Sequence, residues 1–141
     1  MKTPIAGLWV LIAGALFAGP ALAGDVVVIV NPTNPAILTK GLVVSYYLGE
    51  SKSWSGGVPV KLLELPPDNP ARVAFDKDVL GRSAQQLKDL WSQNSLSGKA
   101  IPPKELASDE EVKKAVSSSK IAIGYIKASS VDDTVKVALT F

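Results

Sequence analysis

Residues 25–35 read DVVVIVNPTNP, and this stretch decides the class of fold. Val26 to Val30 are five consecutive β-branched residues with no polar residue among them, which is typical of a strand covered on both faces of a sheet. Pro32 and Pro35 then remove backbone donors and disfavour helix in the residues before them. The sequence therefore predicts a central strand that ends in a loop.

A helix is predicted directly after this loop, because Thr39 can cap its start and Gly49 can provide a left-handed stop. A second strand is predicted over 58–65. It ends in the proline- and asparagine-rich segment PPDNP at 66–70, which repeats the arrangement of the first loop. Within this segment, Asp68 or Asn69 is expected to cap another helix.

The alternation of strands and helices continues to the end of the chain. Further helices are predicted from Ser83 and from Ser108, where SDEE reads as a capping box. Residues 121–126 read as a buried strand, and residues 135–141 alternate as an outer strand. This order predicts an α/β protein, a three-layer sandwich with a mixed, largely parallel sheet.

Residues 1–23 are predicted to be a cleaved secretory signal peptide, which leaves a domain of residues 24–141. A positive start is followed by an uncharged apolar run from Ile5 to Ala18, and Ala21-Leu22-Ala23 provides small residues for a signal peptidase. The alternative is an uncleaved membrane anchor, which Pro20 and the small-residue ending disfavour. We expect a periplasmic protein that meets a membrane only through this signal before cleavage.

The composition excludes several classes of function. The 141 residues carry 15 Lys and Arg against 13 Asp and Glu, with no His and no Cys. No basic run is present to follow a phosphate backbone, so nucleic acid is not an expected partner. The lack of His and Cys removes thiolate nucleophiles, the usual zinc ligands and the side chain best suited to proton transfer near neutral pH. We therefore expect no enzyme activity, no cofactor and no metal site.

The two asparagine loops are the best candidates for a ligand site. In open α/β sheets, ligands bind outside the carboxyl ends of strands, where helix N-termini present unpaired N–H groups. The first loop offers Asn31, Thr33 and Asn34, and the second offers Asn69 and Arg72. If the loops converge at one rim, these side chains form half of a cradle for a small anion, with Arg72 as its cation. The alternative is that the asparagines only satisfy turns and caps, with Arg72 solvated.

Four aromatic residues raise a second question, since they could line a binding platform. They are Tyr46, Tyr47, Trp54 and Trp91. Aromatic residues at these spacings more often lie in a core, so we assign them to packing.

The chain also resembles a known family. The residues that carry the resemblance are Leu42 to Gly49, Trp54, Phe75, Leu80-Gly81, Trp91, Gly98, Pro102-Pro103, Glu111 and above all IAIGYI at 121–126. This pattern resembles the phosphate-binding proteins of ABC transporters, and more closely the short secreted proteins of that group. The resemblance implies a type 2 periplasmic binding protein fold, a small-oxyanion ligand such as phosphate, and an ABC permease or another periplasmic protein as partner.

Two departures from the family pattern lead us to expect weak binding. Full-length members have two lobes that close on the ligand, whereas residues 24–141 provide little more than a single lobe. The family's S-G-T-R-type loop corresponds here to residues 69–72, so Arg72 matches but both hydroxyls are absent. Each buried acceptor left unsatisfied costs about 1–3 kcal/mol. The alternative function is a periplasmic protein-interaction or homodimerising module with a vestigial ligand site.

Overall fold

A computed structural model describes residues 25–141, so the predicted signal peptide lies outside the described residues. The five strands are β1 (Val26–Val30), β2 (Lys61–Glu64), β3 (Lys104–Glu105), β4 (Ala122–Lys127) and β5 (Lys136–Thr140). The four α-helices are α1 (Lys40–Tyr47), α2 (Pro70–Ala74), α3 (Ala84–Leu96) and α4 (Asp109–Ser118). A π-helical segment, Phe75–Leu80, continues α2, and Ala128–Ser130 form a 3₁₀ turn. Between residues 25 and 141, no helix has the length and apolar character needed to cross a bilayer.

The strands form one sheet in the order β3-β2-β4-β1-β5. β2 pairs in parallel with β3 and β4, whereas β1 pairs antiparallel with both β4 and β5. Four strands thus run in one direction and β1 runs the other way, which confirms the mixed, largely parallel sheet. We call the edge at which β2 to β5 end the carboxyl edge, and the edge at which they begin the amino edge.

Helices cover both faces of the sheet, as the side chains of β4 show. Tyr125 stacks on Phe75 with ring centroids 4.0 Å apart, and Tyr47 of α1 meets both rings edge-on. The preceding residue of β4, Gly124, faces α4, where a Cβ would lie 2.6 Å from Val112 Cγ1. Since neighbouring strand residues point to opposite faces, the molecule is a three-layer sandwich.

The core and the helix ends follow the predicted pattern. All five residues of β1 are buried, which confirms that this strand is central. The Thr39 hydroxyl and the Asn69 side-chain oxygen accept backbone N–H bonds at the starts of α1 and α2, as predicted. Tyr46, Tyr47, Trp54 and Trp91 are all buried, which confirms their assignment to packing.

Two details differ from the predictions. β3 has only two residues, held by pairing of Lys104 with Leu63, and so short a strand leaves no periodic signal in the sequence. At the start of α4, Ser108 caps Glu111 N, but the Glu111 carboxylate accepts from Ala107 N rather than completing a capping box.

Gly124→Ala is expected to lower the free energy of unfolding by about 1–3 kcal/mol, because the added methyl group would overlap Val112. Urea unfolding measures this change. Gly41→Ala is the matched control: it lies inside α1, and its nearest foreign atom is 4.0 Å from an added Cβ. We expect that control to stabilise the protein by up to about 1 kcal/mol.

The cause is tested by repeating Gly124→Ala in a Val112→Ala background, where the overlapping methyl is gone. The cost should fall in that background. An equal cost in both backgrounds would contradict close packing of α4 on β4.

Candidate functional site

The two predicted loops lie at opposite edges of the sheet. β1 ends at the amino edge, because Val30 pairs with Ile123 near the start of β4 and with Lys136 at the start of β5. β2 runs parallel to β4 and therefore ends at the carboxyl edge, where residues 66–69 follow. The expectation that the loops converge at one rim is wrong. Its physical reason is the reversed direction of β1, which places residues 31–34 at the far end of the sheet.

Asn31 ties the first loop to the end of α4. Its amide nitrogen donates to the carbonyl oxygens of Val116 and Ser117, both at 3.1 Å. Its side-chain oxygen accepts from the backbone N–H and the hydroxyl of Thr33, at 3.0 and 2.7 Å. The hydrogen-bonding groups of this buried amide are therefore occupied by the protein itself.

Asn34 is used in the same way. Its side-chain oxygen accepts from Ala36 N at 2.8 Å, and its carbonyl oxygen accepts from Lys136 Nζ at 2.9 Å. The amino-edge loop thus fits the alternative in which asparagines satisfy turns.

Arg72 lies at the carboxyl edge and is only 8% exposed. Its Nη1 donates to the Leu65 carbonyl at 2.8 Å and lies 3.5 Å from Glu64 Oε1. Its Nε donates to Asp76 Oδ2 at 3.2 Å. The sequence left open the interpretation that Arg72 is solvated. That interpretation is wrong, because the guanidinium is buried between two carboxylates.

The charge state of this cluster depends on Glu64. Burial is the main cause that raises the pKa of Glu64 to about 7. The positive charge of Arg72 lowers this pKa, whereas the negative charges of Asp76 and Glu105 raise it. Burial also raises the pKa of Asp76, again opposed by Arg72. Arg72 therefore faces two carboxylates when Glu64 is ionised, and one carboxylate when Glu64 is protonated.

Glu64 and Arg72 line a hollow of about 670 Å³ between the carboxyl end of β2 and α3, which we call the carboxyl-edge hollow. Its lining residues are Glu64, Pro67, Arg72, Ala84, Gln85, Leu87, Lys88, Trp91, Ser92, Ser95, Leu96, Pro102, Pro103 and Glu105. An entering oxyanion would meet two cations, Arg72 and Lys88, and the carboxylates of Glu64 and Glu105. At Arg72, an ionised Glu64 would repel such an anion, and a protonated Glu64 would not.

Of the predicted site residues, only Asn69 and Arg72 share this edge, and Asn69 is used as the cap of α2. The sequence analysis missed Glu64 and Lys88. One signal was available for the cluster, since Arg72 and Asp76 have the i, i+4 spacing of a helical ion pair.

Several solved structures share this fold. An ABC-type phosphate transport receptor from Vibrio cholerae matches with a TM-score of 0.63 at 22% identity, over 80% of this chain and 44% of that chain. A Clostridium perfringens protein assigned as a phosphate ABC transporter substrate-binding protein, with bound phosphate, matches with a TM-score of 0.65 at 23% identity, over 80% and 43%. PstS from Borrelia burgdorferi matches with a TM-score of 0.60 at 12% identity, over 80% and 46%.

The chain therefore has the fold of phosphate ABC transporter substrate-binding proteins, as the resemblance implied, and it spans less than half the length of each. No protein-family model matches the sequence, and no curated protein does.

Glu64→Gln is expected to flatten the pH dependence of stability. The folded state raises the pKa of Glu64 from 4.5 to about 7, so it binds this proton more tightly than the unfolded chain does. The contribution of Glu64 to stability is therefore full at low pH and declines as the pH rises through this window. Urea unfolding at about pH 5 and about pH 8 should show a gain for Glu64→Gln over wild type that grows with pH.

Glu50→Gln, an exposed carboxylate that is not among the groups acting on Glu64, is the control and should keep the wild-type pH slope. A Glu64→Gln variant with that same slope would show that the buried cluster does not titrate in this range.

Proposed function

We propose that this chain is a non-enzymatic periplasmic binding module that holds a small oxyanion such as phosphate weakly in the carboxyl-edge hollow. Removal of residues 1–23 as a signal peptide is part of this proposal. The observation that carries it is the fold shared with phosphate-transport proteins over 80% of the chain, one of them with bound phosphate. An ABC permease is the partner that such a module would serve.

Arg72 is the group proposed to hold the anion. The Leu65 carbonyl and Asp76 fix the guanidinium through Nη1 and Nε. Among the described residues, no acceptor bonds Nη2, and this atom is not fully buried. A guanidinium oriented in advance in this way loses little freedom when it grips an oxyanion.

Helix α3 supplies further polar groups to the same hollow. Gln85, Lys88, Ser92 and Ser95 follow one another at spacings of three or four residues, so they share one face of the helix, and all four line the hollow. Lys88 and Ser92 would donate hydrogen bonds to the anion in place of the two hydroxyls that residues 69–72 lack. Since both are exposed, they add less affinity than buried donors would.

Glu64 competes with the ligand for Arg72. Its carboxylate lies 3.5 Å from Nη1, beside the proposed anion position at Nη2, so an ionised Glu64 repels an oxyanion there. Protonation removes that charge. The proposal therefore includes tighter binding below neutral pH.

Isothermal titration of the protein with sodium sulfate tests this pH dependence, because sulfate keeps its charge between about pH 6 and about pH 8. We expect millimolar binding that is several-fold tighter at the lower pH. In Glu64→Gln the affinity should be the same at both pH values. No heat at millimolar sulfate or phosphate at either pH would contradict the proposal.

The residues are tested with two variants. Arg72→Gln should weaken phosphate binding at least about tenfold, the loss expected for a charged hydrogen bond, with circular dichroism as the check on folding. Lys88→Gln changes only an exposed residue and should weaken binding by a few-fold. Lys114→Gln, exposed on α4 across the sheet, is the control and should bind phosphate like wild type. Unchanged affinity in both Arg72→Gln and Lys88→Gln would remove the assignment of this hollow.

A second candidate function is a module that binds a protein partner or a second copy of itself, with a vestigial ligand site. Leu96 lines the carboxyl-edge hollow and is 89% exposed. Ile101 is 87% exposed and lines a neighbouring hollow, which shares Pro102 with the first. Apolar side chains exposed close together are typical of an interaction surface.

Under this second candidate, sedimentation equilibrium should show a mass that rises with protein concentration. Leu96→Ser combined with Ile101→Ser should abolish the rise, because it removes the apolar surface. Val73→Ser is the control, since Val73 is an exposed apolar residue on α2. A mass that stays monomeric at every concentration would remove the homodimer.

A further inference from the structure

A second hollow lies at the side of the sheet, near the start of β2. It occupies about 530 Å³ between the end of α1, the turn at 51–53, β2 and the segment 98–102. The residues that give it its character are Tyr46, Leu62, Trp91, Lys52 and Lys99. We call it the aromatic cavity. It meets the carboxyl-edge hollow at Trp91, Ser95 and Pro102, but it contains neither Glu64 nor Arg72.

The walls of this cavity are held in place by buried hydrogen bonds between α1 and α3. Trp91 Nε1 donates to the Tyr47 carbonyl at 3.1 Å, and Asn94 Nδ2 donates to the Leu48 carbonyl at 3.3 Å. Gly49 has a φ of +77°, and a Cβ there would lie 2.6 Å from Asn94 Nδ2. The close approach of α3 to the end of α1 therefore needs glycine at this position.

The charged side chains that line the aromatic cavity are both positive. Lys52 and Lys99 both line it and both are exposed, and no carboxylate is among its lining residues. Within residues 25–141, neither lysine forms an ion pair. Two unpaired cations around an apolar interior favour a ligand with a negative group.

The interior determines the rest of the ligand. Tyr46 and Trp91 are almost fully buried and contribute only the parts of their rings that reach the cavity wall, and the half-buried Leu62 adds aliphatic surface. The Tyr46 hydroxyl is already used, since it donates to the Ser53 carbonyl at 3.1 Å. Ser51, Ser53 and Ser95 also line the cavity, but its walls are mostly apolar and suit a flat ring better than a bare oxyanion. The volume is within the range of small-molecule sites, about 300–1,000 Å³.

We propose that the aromatic cavity binds small aromatic carboxylates, with the ring against Tyr46, Leu62 and Trp91 and the carboxylate towards Lys52 and Lys99. This site is separate from the proposed oxyanion site and does not depend on it.

The test compares 2-naphthoate with its neutral isostere 2-naphthamide, by following the amide and indole signals of the protein in ¹H–¹⁵N NMR titrations. We expect 2-naphthoate to bind about five to tenfold more tightly than the amide, as two exposed ion pairs would provide. The signals that shift should be those of Gly49, Lys99 and the Trp91 indole. Equal affinities, shifts confined to other parts of the protein, or no binding of 2-naphthoate at millimolar concentration would each overturn the proposal.

Three variants sharpen the comparison. Lys52→Gln with Lys99→Gln should remove the preference for the acid while the amide still binds. Lys114→Gln with Lys120→Gln, exposed lysines elsewhere, is the matched control and should keep the preference. Ala100→Trp should fill the cavity and abolish binding of both probes. A preference that survives the first double substitution would overturn the role of the two lysines.

A competition arm separates this site from the oxyanion site. Inorganic phosphate in large excess should leave 2-naphthoate bound, since the two sites use different cations. Displacement of 2-naphthoate by phosphate would contradict a distinct site. Binding of 2-naphthoate in the aromatic cavity is expected whether or not phosphate binds at Arg72.

Discussion

The buried strand β1 constrains everything else in this molecule, because it lies between β4 and β5 and runs against both. Its five apolar residues make it an inner strand, and the other four strands all run the opposite way. The loop after β1 consequently reaches the amino edge, where Asn31 fastens the end of α4. The loop after β2 reaches the carboxyl edge. One strand direction thus separates a structural asparagine loop from the loop that leads into α2 and Arg72.

At the carboxyl edge, the structural role of Arg72 opposes its proposed role as an anion ligand. As a structural group, it joins the carbonyl of Leu65, the residue directly after β2, to Asp76 and lies beside Glu64. Removing the hydrogen-bonded partner Asp76 would leave the buried guanidinium partly unpaired, a loss of about 3–5 kcal/mol in buried ion pairs, so the Arg72–Asp76 contact is a structural requirement. As a ligand for an oxyanion, the same guanidinium must give up part of its contact with Glu64. The two roles together explain why the proposed binding would be weak and would respond to pH.

Local features of the fold could be predicted from the sequence. The run of β-branched residues predicted β1, and the caps at Thr39, Asn69 and Ser83 predicted three helix starts, because these signals act within a few residues. The likeness of residues 121–126 to a family motif indicated the correct fold.

Features that depend on distant pairing could not be predicted in the same way. The direction of β1 is set by its partners β4 and β5, which lie about 100 residues away along the chain. The two-residue β3 exists only because β2 pairs with it. Glu64 meets Arg72 because a strand end and a helix start fold onto each other, and only the Arg72–Asp76 spacing hinted at this cluster.

A crystal structure of the protein grown in phosphate at about pH 6, where Glu64 is largely protonated, tests the central claim most directly. The account predicts phosphate within hydrogen-bonding distance of Arg72 Nη2 in the carboxyl-edge hollow, with Glu64 moved away from Nη1. Phosphate bound only at the amino edge beside Asn31, or an empty hollow with the Arg72–Glu64 contact unchanged, would contradict it.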